Sequence, residues 1–248
     1  MIPDFVKYLY RRPQHIVIQL LSKRWAHSLN VDCMHNVLIL SPHPDDEVFG
    51  CGNLIKTLCQ KGERCKVTLV ILSKGEAISR LSSLTTEEVI SERKRLTIQA
   101  NAVLGLQVEN IKWLDFPDGD IVNTSRGEIQ KLVEIINEVT PDTIFYPHPF
   151  EGSPDHNAAS AIISKLISDL QAAKYYYCVW IWHHMPFYKA FKLNYKNSFL
   201  LPVTGCEKKQ AVDIYAGATD GKGNYYSGKL PKMLLKAIGW KNELYFKS

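Results

Sequence analysis

His43, Asp45, Asp46 and Glu47 are packed into the short run Pro42-His43-Pro44-Asp45-Asp46-Glu47. Three adjacent carboxylates repel one another, and each becomes costlier to ionise unless a cation or a helix N-terminus offsets the repulsion. His43 and Asp46, three apart across a loop, can bring an imidazole nitrogen and a carboxylate oxygen onto one ion at roughly 2.0–2.2 Å. Asp45 then points elsewhere. The competing reading is that the acids only cap a helix and complement its dipole. A second polar stretch, Pro147-His148-Pro149-Phe150-Glu151-Gly152-Ser153-Pro154-Asp155-His156-Asn157, places His156 in the first turn of another helix. A lone histidine there is ordinarily polar surface; behind a second strand it can meet His43 and Asp46. Two histidines and one aspartate leave a position for water, which describes a catalytic metal rather than a structural one. Zinc and ferrous iron both suit these donors.

The elements around these loops read as an alternating α/β chain. Val37-Leu38-Ile39-Leu40 has no polar alternation, as expected of a parallel strand covered on both faces. Val48, Leu54, Ile55 and Leu58 then give one face of a helix starting near Glu47. Further strands are expected at 67–72, 111–114 (shorter and nearer an edge) and 143–146. Helices are expected from Thr86 to about Gly105, around Ile129–Ile136, after Ser153, and from Glu207 to Tyr215. The expectation is one Rossmann-like α/β domain spanning residues 1–248, with a mainly parallel sheet and its site at the carboxyl ends of the strands. A dinucleotide-binding protein is disfavoured, because Gly50-Cys51-Gly52 lies within the helix rather than in a G-x-G-x-x-G turn.

Composition sets the outer limits. At 248 residues, 46% hydrophobic and 22% charged, the chain is that of an ordinary globular protein. A net charge of +5 without a nucleic-acid-binding motif argues against a nucleic-acid partner. Six cysteines without a paired framework read as reduced thiols, and so as a cytoplasmic protein. Residues 1–30 form a candidate amphipathic extension: Lys7, Arg11, Arg12, Lys23 and Arg24 flank Ile16-Val17-Ile18-Gln19-Leu20-Leu21, a run too short to span a bilayer. It either packs on the core with a solvated basic face or lies on an anionic membrane at the inner surface. In the tail, Tyr225, Tyr226, Trp240, Tyr245 and Phe246 alternate with lysines. Core packing is the default, with glycan or lipid contact as the other option.

Taken together, Pro42-His43-Pro44-Asp45-Asp46-Glu47 and Ser153-Pro154-Asp155-His156-Asn157-Ala158-Ala159 resemble the LmbE/PIG-L family of zinc-dependent deacetylases of N-acetylglucosamine-type sugars. Ala100, Leu104-Gly105, Pro117-Asp118-Gly119 and Lys209-Gln210-Ala211 extend the resemblance over roughly residues 35–217. The resemblance implies that His43, Asp46 and His156 hold the metal and that Asp45 is the general base toward its water. Glu47 and Asp155 are read as groups that orient ligands or cap helices. Asp118 is a turn former by its Pro-Asp-Gly setting, with substrate contact as its second reading. One position departs from the family. Where the distal motif usually reads His-Pro-Asp-His, its first histidine thought to stabilise the oxyanion, this chain has Ser153. Ser153 is then a weaker substrate contact, and another donor is expected to reach the site: His148 first, with His183 or His184 as substitutes. A metal-binding member with weakened catalysis is the alternative function.

Overall fold

The computed structural model describes residues 4–81 and 84–248, with the side chains of 4–10, 80 and 81 outside the description, Lys7 among them. The elements in chain order are α1 (Asp4–Trp25), β1 (His27–Ser28), β2 (Asn36–Ser41), α2 (Asp46–Cys59), β3 (Lys66–Ser73), α3 (Thr86–Val103), β4 (Ile111–Phe116), α4 (Arg126–Val139), β5 (Thr143–Pro147), α5 (Pro154–Leu166), β6 (Ala173–Tyr177), β7 (Ser198–Pro202), α6 (Glu207–Gly217), α7 (Lys232–Ile238) and β8 (Asn242–Lys247). The strands form one eight-stranded sheet in the order β1-β7-β8-β6-β5-β2-β3-β4. All neighbours are parallel except β8, which runs antiparallel to both β6 and β7.

The unalternating strands are buried on both faces, as their sequence requires. Val37 and Ile39 of β2 join Val67, Leu69 and Ile71 of β3 in one core with Leu54 and Leu58 of α2, Leu96 of α3 and Ala211 of α6. Leu38, Leu40, Val70 and Leu72 point the other way, onto Leu132 and Ile136 of α4 and Ile163 of α5. Burying one such aliphatic side chain is worth roughly 1.5–3 kcal/mol, so each strand of this pattern commits the sheet to two helical layers. α3 is opened by a reciprocal capping box between Thr85 and Glu88. α4 opens on a Ser125 cap that accepts from the Glu128 N–H.

From β2 the chain passes to β3 and β4 on one side, then returns to lay β5 and β6 on the other. The loops after β2 and β5 therefore leave adjacent strands in opposite directions, the switch point beyond which open parallel sheets bind ligands. Two features give detail to expected core packing, that of the tail and that of residues 1–30. β8 lies in the middle of one half of the sheet, so Leu244, Tyr245 and Phe246 are core residues. α1 packs by Gln14, His15, Ile18 and Ser22 onto the excursion after β6. Gln14 donates to Ile181 O (2.8 Å), and Arg11 donates to Met185 O (2.9 Å). Among the described residues no helix is long and apolar enough to cross a membrane.

Candidate metal centre

His43 leaves the end of β2 and Asp46 is the first residue of α2, so the Pro42–Asp45 elbow sets their spacing. Asp46 Oδ2 lies 3.1 Å from His43 Nδ1 and 3.0 Å from His156 Nε2. These three residues form a group whose candidate ligand atoms all lie within 4.8 Å of one another. The far nitrogen of each imidazole faces another carboxylate. His43 Nε2 is 3.0 Å from Asp155 Oδ2 and 3.2 Å from Asp118 Oδ1. His156 Nδ1 is 3.4 Å from Glu151 Oε2. Carboxylates behind both imidazoles are the arrangement that fixes ring orientation for metal binding.

The fit to an ion rests on His156. Its ring is fully buried, yet neither nitrogen makes an aligned hydrogen bond to a protein group. A buried imidazole left this way is costly, and a metal ion at Nε2 would relieve it. His43 keeps 18% of its side chain exposed, whereas Asp46 keeps 2%, so the cluster is reached from the His43 side. Protons take the ion's place in the electrostatics. Burial disfavours charge on His156, but Asp46 and Glu151 raise its pKa to about 9. His43 is likewise raised well above 6.5, against burial, by Asp118, Asp155 and Asp46. Burial opposes ionisation of Asp46, yet His156 and His43 hold its carboxyl below the usual carboxylate range.

Asp45 stands apart from this set, as expected. It precedes α2 with φ 112° and ψ −33°, a positive φ that a side chain rarely adopts and that costs on the order of 1–3 kcal/mol. The conformation is held from both ends. The Asp45 N–H donates to Glu47 Oε2 (2.9 Å), and the Asp45 C=O accepts from the Val48 and Phe49 N–H groups. Glu47 is fixed by Asn101 Nδ2 (2.9 Å) and the Tyr215 hydroxyl (2.7 Å). Arg93 of α3 donates to Pro44 O and lies 3.4 Å from Asp45 Oδ2. Its guanidinium occupies the space where Gly75, at φ +74°, has no Cβ. Burial, opposed by Arg93 and reinforced by Asp46 and Glu47, pushes the Asp45 carboxyl up to about 7.

Asp118 sits in its expected turn and also contacts His43, whereas His148 is placed differently from its sequence reading. Asp118 accepts the Ala77 N–H at Oδ2 (2.7 Å) and turns Oδ1 to His43, so it helps orient that ring. His148 sits among Phe150, Tyr176 and Phe246, and its Nδ1 accepts from the Phe150 N–H at 3.0 Å. Burial alone lowers its pKa to about 3, with no charge of the cluster contributing. The Pro147–Pro149 run turns the ring into the aromatic core, and the expected oxyanion donor is a packing residue. Ser153 heads α5 without capping it through its side chain.

His184 does reach the neighbourhood. Gly152, at φ +75°, lets the loop before His156 press against it, since a Cβ there would stand 2.9 Å from His184 C and Cβ. The His184 ring packs on Trp180 at 4.8 Å, and burial, Arg11 and His156 together lower its pKa. Glu151 ties the same region by accepting from the Val179 N–H (3.0 Å) and the Trp180 N–H. Glu151 and Arg93 went unread in the sequence. Glu151 is one polar residue of a polar loop and Arg93 one charge of the run Glu92-Arg93-Lys94-Arg95, so neither stands out in the sequence.

Among curated proteins the chain is 30% identical over 135 residues to the diacetylchitobiose deacetylase of Thermococcus kodakarensis, covering 53% of this chain and 49% of that protein. It is 29% identical over 140 residues to a probable N-acetyl-alpha-D-glucosaminyl L-malate deacetylase 2 of Bacillus cereus, covering 54% and 61%. The chain thus spans about half to three-fifths of the length of these relatives. The fold matches that of the N,N'-diacetylchitobiose deacetylase of Pyrococcus horikoshii with a TM-score of 0.62 at 19% identity, over 88% of this chain and 85% of that one. Residues 38–167, which hold the loops of His43 and His156 and the Asp118 turn, match the family described as PIG-L, GlcNAc-PI de-N-acetylase, and the chain belongs to that family.

Proposed function

We propose that this protein is a metal-dependent hydrolase that removes the acetyl group from an N-acetylated amino sugar or one of its conjugates. The observation that carries the reading is a three-ligand cluster, His43, Asp46 and His156, next to a separate carboxyl, Asp45, pushed up to about 7. A general base works best with a pKa near the operating pH. A divalent ion held by the three ligands, zinc or ferrous iron, supplies a water of lowered pKa and a Lewis acid for the amide carbonyl. Asp45 accepts the proton of the attacking water and delivers it to the nitrogen of the departing amine, so that the C–N bond breaks and acetate leaves. Arg93 and Glu47 keep Asp45 in its strained conformation throughout. His184, pressed against Gly152 in the loop before His156 and lowered in pKa by burial, Arg11 and His156, is our candidate to replace the imidazole that Ser153 does not provide, and a neutral imidazole N–H serves as an oxyanion donor.

The substrate class follows the relatives, which are deacetylases of diacetylchitobiose and of N-acetylglucosaminyl malate. The decisive experiment is a panel of N-acetylglucosamine conjugates and N,N'-diacetylchitobiose, assayed for released acetate after metal reconstitution. Acetate with a matching free amine from at least one member is the expected result. Full metal loading with no acetate from any member would instead favour the second reading, a metal-binding member with weakened catalysis, for which Ser153 is the specific argument.

A further inference from the structure

Nine large apolar side chains stand well exposed among the described residues, and five of them fall on two adjoining segments. Ile16, Leu20 and Trp25 belong to α1, and Tyr188 and Phe191 to the short 3-10 stretch Phe187–Lys192; each is between 43% and 62% exposed. On α1 the outward line is Arg12, Ile16, Leu20 and Arg24, at i, i+4 spacing. The inward face, Gln14, His15, Ile18 and Ser22, is buried against the excursion after β6. The two segments pack against each other, and beside them Lys196 Nζ lies 5.3 Å from the Trp25 ring centre while Arg24 covers the same ring at 4.6 Å.

The charge on this surface is one-sided. Residues 11–31 contain no Asp or Glu, and neither do residues 178–206. Among the described residues none of Arg12, Lys23, Arg24, Lys189, Lys192 and Lys196 makes an ion pair, on a chain whose whole excess is only +5. Lys192 and Lys189 lie over the Tyr188 and Phe150 rings, at 5.4 and 4.8 Å. Basic side chains of this kind lay their stems along apolar surface and keep the ammonium outward.

We propose that this face docks the protein on an anionic lipid bilayer, with Ile16, Leu20, Trp25, Tyr188 and Phe191 entering the headgroup boundary and the basic ring meeting lipid phosphates. A surface helix with an aliphatic line between basic residues is the form of an interfacial segment. A second copy of the chain is a poor occupant, because two such faces would set basic residues against basic residues. Single-stranded nucleic acid would use the aromatics and lysines but leave Ile16 and Leu20 uncovered. The docked face adjoins the cleft: Phe150, under Lys189, precedes Glu151, which stands behind His156. Docking would bring the cleft rim to the membrane. It rests on this surface alone and does not depend on the deacetylase reading.

The test is co-sedimentation of the full chain with vesicles of phosphatidylglycerol and phosphatidylcholine in equal parts, beside vesicles of phosphatidylcholine alone. Binding to the first, its weakening by added salt, and little binding to the second are expected. Arg12→Ser with Arg24→Ser should lower the partition coefficient by about thirtyfold. Leu20→Ser with Phe191→Ser should also lower it, with unchanged circular dichroism and thermal midpoint because all four positions face solvent. The inference is overturned by absent vesicle binding, by binding that neither pair of substitutions weakens, by preferential retention on an oligonucleotide, or by a concentration-dependent dimer that Leu20→Ser abolishes.

Discussion

Asp45, Asp46 and Glu47 are neighbours in sequence with three separate tasks, and their backbone and partners set them apart. Asp46 is stabilised as a carboxylate by two imidazoles, Asp45 is raised toward neutrality by burial, and Glu47 is locked by Tyr215 and Asn101. The cluster of His43, Asp46 and His156 was legible because its residue types and loop positions are local facts. The partners behind it were only partly so: Asp155 was read as an orienting group, whereas Glu151 and Arg93 act through contacts across the fold. Sequence placement also favoured His148 over His184, since only packing reveals that His148 turns into aromatics. Replacing His184 with Ala is therefore expected to lower kcat by roughly 10²–10³ with metal content intact, the loss of one oxyanion donor. His148→Ala should leave kcat close to wild type and cost about 2–5 kcal/mol of stability, read by denaturant unfolding. The reverse pattern would reassign the donor. A second expectation concerns protons. His43 and His156, raised well above 6.5 and to about 9, are protonated in the metal-free protein at neutral pH and must be neutral to bind an ion. Metal binding should thus release between about one and two protons near pH 7, and apparent affinity should weaken as pH falls below about 9. Calorimetry in buffers of different ionisation enthalpy measures this; no proton release would contradict the cluster's electrostatics.

At the scale of elements, the site depends on loops that end strands. Four loops meet around His43, those after β3, β4 and β5 together with the elbow after β2 itself, and Gly152 decides how closely one of them approaches the segment after β6. Gly152→Ala places a Cβ against the His184 backbone at a positive φ. We expect it to cost about 1–2 kcal/mol in stability and to lower kcat while the metal stays bound. An unchanged kcat would show that the seating of His184 is immaterial. The buried strands β2, β3 and β5 were legible because a doubly covered strand needs an uninterrupted apolar run. β8 was not, because Leu244-Tyr245-Phe246 is short and its antiparallel place between β6 and β7 depends on partners far away in the chain. α1 was legible as a basic helix, but which of its faces packs inward is decided by Ile181, Trp182 and Met185.

Over the whole molecule, the order of strands turns two unremarkable loops into one centre. The chain leaves β2 in one direction and comes back on its other side, so that His43 and His156, 113 positions apart in the sequence, face the same carboxylate. That convergence, the family match over residues 38–167 and the separate, neutral-leaning Asp45 support one account, in which three residues hold an ion and a fourth moves the proton. Asp45→Asn tests it most directly, by metal analysis and acetate release on the same sample with a substrate turned over by the wild-type protein. The account predicts full metal content with acetate release reduced by roughly 10²–10⁴, the span of a lost general base. An Asp45→Asn protein that has lost its metal, or that releases acetate at the wild-type rate, would contradict it.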